Sequence, residues 1–127
     1  LNKEKKGGRT MSLSYPEELQ EFMDLMGTLD TEIHDTVSGF RQLHKAAIAD
    51  GSLSFKMKEL IALAIAISVR CDGCIATHVS AVLKAGATRK EIAETVGVAV
   101  LMGGGPSAVY GTKVLKAVQQ FEAEQAA

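Results

Sequence analysis

Apolar side chains recur at helical spacing from Pro16 onward, and the polar positions between them divide the chain into six segments. The first, "SYPEELQEFMDLM", puts Pro16 in a first helical turn and acids Glu17 and Glu18 where the helix dipole favours them. Leu19, Phe22, Met23 and Met26 form its stripe, and the helix is expected to end at or close to Gly27. A second helix is predicted over roughly 31–49, with Ile33, Val37, Phe40, Leu43 and Ala47 on one face and Gly51 as the stop. Both patterns predict surface helices that each bury one side.

The third segment, "SFKMKELIALAIAISVR", opens on a Ser54 cap and is apolar almost all round from Leu60 to Val69. Such a helix needs cover on every side. Its β-branched residues admit a buried strand, but its length, alanine content and Lys/Glu start favour helix. A fourth helix starts near Asp72, the expected cap, and runs to Gly86, and "TRKE" at 88–91 is a capping box opening a fifth to about Met102. "GGGP" breaks that one, and Pro106 starts a sixth. No period-2 pattern of any length appears, so the fold class is all-α.

At 127 residues the chain has the length of one domain, expected over 14–127. Residues 1–13, which include the polar, basic "LNKEKKGGRT", are expected to be a disordered tail or one appended by cloning. With no apolar core to this tail that would make it a secretory signal, a cytoplasmic protein is expected. Fourteen basic against fifteen acidic side chains leave no basic stripe for nucleic acid. "LIALAIAISV", flanked by Lys58, Glu59 and Arg70, has about half of the ~20 residues a membrane span needs. Neither nucleic acid nor membrane is expected as a partner.

The only two cysteines, Cys71 and Cys74, stand in "RCDGCIATH", with His78 four residues after the second. A thiol pair in a reducing compartment points to redox or metal chemistry rather than a structural staple. Cys71 falls at the end of the third helix and Cys74 in the first turn of the fourth, where free amides and the dipole favour a thiolate. The i, i+4 spacing puts His78 within reach of Cys74, a nucleophile beside a base. Glu59, which opens an otherwise apolar helix, is a third candidate. With the turn near residue 71, helical rise places Glu59 about 18 Å back and His78 roughly 9 to 10 Å along the returning helix. The remaining gap of about 9 Å predicts a link through water rather than direct contact. Glu59 would then orient His78, and His78 would deprotonate Cys74.

The pattern Glu59, eleven residues, Cys71-Asp72-Gly73-Cys74, three residues, His78, followed by "GAT..EI.E....A..MGG", resembles the alkylhydroperoxidase D-like branch of the carboxymuconolactone decarboxylase family over roughly residues 50–115. That resemblance implies an all-helical bundle of about six helices, assembled into trimers or hexamers, that reduces peroxides without a cofactor. It implies Cys74 as the peroxidatic thiolate, Cys71 as the resolving thiol, Glu59 and His78 as a proton relay, and no metal. Alkylhydroperoxidase D itself has a histidine where this chain has Gly73. The family's decarboxylases do not share the cysteine pair, so thiol chemistry is the expectation here. Its substrate would be a hydroperoxide or a disulfide, its electron donor a dithiol, and its role antioxidant. Two other readings stand beside it: a non-catalytic helical oligomer that keeps the motif as core, and a metal protein with Cys71, Cys74, His78 and Glu59 as mixed zinc ligands. His34 and His44 are assigned to the surface. "MGGGP" lacks the strand and lysine of a phosphate-binding loop and is read as close helix packing.

Overall fold

Ser14 starts the helical chain with a capping box. Its Oγ accepts the Glu17 amide at 3.3 Å, and Glu17 Oε1 accepts the Ser14 amide at 2.9 Å. The computed structural model describes the backbone of residues 5–6 and 9–10 and the chain over 12–126. The expected tail therefore falls largely outside the described residues. Within it, β1 (Lys5–Lys6) and β2 (Arg9–Thr10) pair antiparallel, Lys5 opposite Thr10, a pairing too short to leave a side-chain pattern.

Six helices follow: α1 (Tyr15–Glu32), α2 (His34–Ile48), α3 (Phe55–Ser68), α4 (Asp72–Lys84), α5 (Arg89–Gly103) and α6 (Gly105–Ala126). The all-α expectation holds. Ser54 caps α3 through the Met57 amide at 3.1 Å, and Thr88 with Glu91 closes a second capping box on α5. Each such cap is worth about 1 kcal/mol. Gly27 does not end α1. A lone glycine lowers helix stability by about 1 kcal/mol but removes no hydrogen bond, so α1 continues to Ile33, whose amide bonds the Leu29 carbonyl at 2.9 Å.

The core lies among α3, α4, α5 and α6, with the start of α1 closing one side. Leu63, Ile67, Ile75, Val79, Val82 and Val114 are fully buried there. Gly111 lets α5 and α6 approach, since a Cβ at this position would meet Val96 Cγ1 at 2.6 Å. At the break between them, Gly104 has φ +66° and ψ −146°, a conformation open essentially to glycine alone, and a Cβ on Gly103 would strike Ser107 Oγ. The "GGGP" segment thus serves backbone geometry and close packing, as expected.

The first two helices depart from expectation. Of the α2 stripe only Val37 is buried, while Ile33, Phe40 and Leu43 are exposed, as are Phe22, Leu25 and Leu29 of α1. The outer face of α3 is bare too, with Met57, Ile61, Ile65 and Val69 in a row. The physical reason is one of numbers. The remaining helices are spent on the inner faces of α3 and α4, and among the described residues no element is left to cover these.

Candidate functional site

The turn joining α3 to α4 positions the cysteines. After Ser68 the chain passes through Val69, then Arg70 at φ 58°, then extended Cys71. The Arg70 amide bonds the Ile67 carbonyl at 3.1 Å and the Cys71 amide bonds the Ala66 carbonyl at 3.2 Å, a Schellman ending. The corresponding left-handed position after α4 is filled by Gly86. Arg70 holds the same conformation with a side chain, which carries strain immediately before the first cysteine.

Cys71, rather than Asp72, is the N-cap of α4. Its Sγ accepts the Cys74 amide at 3.1 Å, while Asp72 occupies the first helical position. A sulfur takes the role expected of the carboxylate because Cys71 is the extended residue and Asp72 already has helical geometry. Cys71 and Cys74 form a disulfide across a Cα–Cα distance of 5.2 Å, and both are partly buried.

Glu59 and His78 meet directly, Nδ1 to Oε1, at 2.6 Å. This corrects the expected water-filled gap. That figure counted residues 69–71 as helical rise, but α3 stops at Ser68 and α4 begins at Asp72. Nine residues back and six forward leave about 4.5 Å of axial offset, which two side chains span. Glu59 lies one position beyond the first turn of α3 and is only 1% exposed. A carboxylate so buried demands a partner. Donation from Nδ1–H to Glu59 is the arrangement that leaves the lone pair of a neutral imidazole on Nε2. Thus the structure brings Glu59 and His78 into contact, and Cys71 and Cys74 into a bond, on two antiparallel neighbours. His34 and His44 are exposed as expected, with His34 Nδ1 on Asp30 Oδ1 at 2.9 Å.

Sequence reading missed what surrounds Asp72. Tyr15 Oη donates to Asp72 Oδ1 at 2.8 Å, and Lys113 Nζ stands 3.6 Å from the same oxygen. Burial first, and then the Asp72 carboxylate it donates to, push the Tyr15 phenol well above its ordinary range. Burial, followed by Asp72 and Glu21, likewise raises Glu18. The one local signal was an acid between two cysteines. Nothing near Tyr15 or Lys113 in sequence points to it.

A groove of about 610 Å³ between α1, α4 and α6 has Leu19, Met23, Ser80 and Phe121 among its lining, but none of the four candidate site residues. Among the described residues no group of three or more His, Cys, Asp or Glu side chains is arranged to hold a metal ion, and no helix is long and apolar enough to cross a membrane.

The model of the carboxymuconolactone decarboxylase family matches residues 34–117, which takes in α2 as well as the motif region. The chain belongs to that family. An apo carboxymuconolactone decarboxylase family protein from Legionella pneumophila superposes with a TM-score of 0.82 at 39% identity, over 84% of this chain and 96% of that one. A Thermotoga maritima protein shares the fold with a TM-score of 0.73 at 23% identity, over 84% and 97%. An uncharacterized protein of Cupriavidus necator is 41% identical over 97 residues, which are 76% of this chain and 86% of that one. Uncharacterized protein 4 in the cox locus of Paracoccus denitrificans is 35% identical over 83 residues, 65% and 75% of the two chains. Within the family this chain is of the alkylhydroperoxidase D-like kind, with a C-x-x-C pair.

Proposed function

We propose that the chain is a thiol-dependent peroxidase whose two cysteines cycle between dithiol and disulfide. One observation carries this reading: a disulfide-bonded pair at the start of α4 lies one helical turn from an imidazole fixed by a buried carboxylate. In the reduced state Cys74 attacks a peroxide oxygen, with His78 as its base. The S–O bond forms as the O–O bond breaks, and the departing alkoxide takes the proton that His78 received. Cys74 is then a sulfenic acid. The Cys71 thiolate attacks that sulfur, forming the S–S bond and releasing hydroxide, which leaves as water after protonation. An external dithiol restores both thiols by exchange and is itself oxidised. Glu59 keeps the imidazole in the required tautomer. A cycle that must be re-reduced at each turnover suits the cytoplasm, where thiols are kept reduced.

One contact favours the opposite division of labour between the sulfurs. The Cys74 amide donates to Cys71 Sγ, and such a bond stabilises a thiolate at Cys71. Single-turnover peroxide consumption decides between them. Cys74→Ser is expected to abolish it, while Cys71→Ser is expected to complete one turnover and end as a trapped sulfenic acid. The reverse pattern makes Cys71 the attacking thiol, and full activity in both variants ends the peroxidase reading.

The same reading extends to assembly into a homo-oligomer, a trimer or a hexamer, with the cysteine pair near a subunit interface. It is supported by the bare rows on α1, α2 and α3, because a monomer rarely leaves so much contiguous apolar surface in water. Light scattering at micromolar concentration tests it, and a stable mass of one chain in an active sample would sink it.

A further inference from the structure

Asp72 sits between two cysteines, and its negative charge there opposes the thiolates that redox cycling requires. Two groups from distant helices converge on it. Tyr15, 7% exposed at the start of α1, donates its hydroxyl at 2.8 Å, and Lys113 of α6 brings an ammonium to 3.6 Å of the same oxygen. The placement is built rather than casual. Tyr15 is itself tied to α6, its amide on Gln120 Oε1 at 2.8 Å, and Lys113 Nζ lies 4.2 Å from the centre of the Tyr110 ring.

The other charged groups packed at this end of α4 are Glu18 from α1, which interacts with Asp72, and Glu59 from α3 beside His78, and Arg70 precedes the first cysteine in sequence. Asp72 is thus coupled to a second carboxylate, Glu18, while Glu59 is held by His78. Lys113 is the cation that α6 adds, and it lies against the carboxylate nearest the sulfurs in sequence.

We propose that Tyr15 and Lys113 are positioning residues of the dithiol: acting through Asp72, they hold and neutralise the carboxylate between the cysteines and so set the thiolate fraction of the pair. The inference rests on the reading that Cys71 and Cys74 cycle through a dithiol state. Its chemistry is electrostatic and asks for no further ligand. Without Lys113 the Asp72 charge acts undiminished on the sulfurs, and the thiols hold their protons to higher pH. Without the Asp72 charge, the thiols ionise at lower pH.

The test is the pH profile of iodoacetamide alkylation of the reduced full chain, with thermal unfolding measured on the same samples. Lys113→Met is expected to raise the midpoint by about half a unit to one unit, from one charge removed near the surface. Lys113→Arg should restore it. Asp72→Asn should lower the midpoint, and Tyr15→Phe should raise it by a smaller step that vanishes in the Asp72→Asn background. Unmoved midpoints in Lys113→Met and Asp72→Asn, with only the melting temperature changed, would overturn the proposal and leave the cluster a structural tie. Peroxide turnover is assayed separately. A chain that reduces no peroxide but shows these shifts defeats the peroxidase reading and supports this one.

Discussion

The inner face of the α3–α4 hairpin and the apolar stripe of the arm formed by α2 with the C-terminal part of α1 were both expected to be covered, and they have opposite fates. Leu63, Ile67, Ile75 and Val79 of the hairpin are sealed, whereas Phe40 and Leu43 of the arm are 55% and 65% exposed. The hairpin holds the disulfide and the Glu59–His78 contact, and the arm holds none of the four candidate residues. A stripe of apolar residues states that a face will be covered. It does not state by which chain. On the inner face of the hairpin the cover is intramolecular, and rigidity follows where the chemistry needs fixed groups.

Truncation should separate the two regions most widely. Leu63→Ala is expected to cost about 2 to 5 kcal/mol, read as a fall in denaturation midpoint, because it opens a cavity in a closed core. Leu43→Ala in chains diluted to monomer should stay within about 0.5 kcal/mol. Equal losses at both sites would dissolve the comparison.

Charge insertion sharpens it. If the proposed oligomer forms through α2, Phe40→Glu should leave helical content intact and shift the scattering mass toward one chain, since a charge buried in a subunit contact is strongly disfavoured. An unchanged oligomer would remove α2 from the interface.

The alkaline limb of stability tests the packed core at Tyr15. A phenol raised in the folded state contributes stability that is present below the ordinary tyrosine value and is lost as pH climbs toward the folded one. Tyr15→Phe is therefore expected to flatten the loss of melting temperature above about pH 10, the value from which free tyrosine ionises. The acid side carries the opposite sign at Glu91, which the Thr88 amide and Lys56 hold below the usual carboxylate range. Its contribution fades as pH falls through that lowered value.

The smallest effect is a gain. Arg70→Gly places glycine where α4 already uses Gly86, and relief of left-handed strain less the added chain entropy should stabilise by about 0.5 to 1 kcal/mol. If peroxide turnover falls while stability rises, the strained turn serves the cysteines.

Much of the fold was legible in order and type, because caps and stops are local. Ser54, Thr88 with Glu91, and Gly86 each act on atoms within a few residues, so six helices and most of their ends could be read. Gly27 failed as a stop because a weakened position inside a well-capped helix is outvoted by its neighbours. For the site, the cysteine spacing and the i, i+4 histidine sit within one turn of helix and were equally readable.

What lay beyond local reach was decided by packing. The direct Glu59–His78 contact depends on where two helices end and how they are offset, a few ångströms that residue counting blurred into a gap. Tyr15 and Lys113 converge on Asp72 from opposite ends of the chain, and no short-range rule links them. Helix formation and thiol spacing are properties of neighbouring residues, and the sequence by itself determined them. Which carboxylate meets which cation, and which apolar face stays bare, depends on how all the helices share one limited interior, and only the tertiary structure decided it.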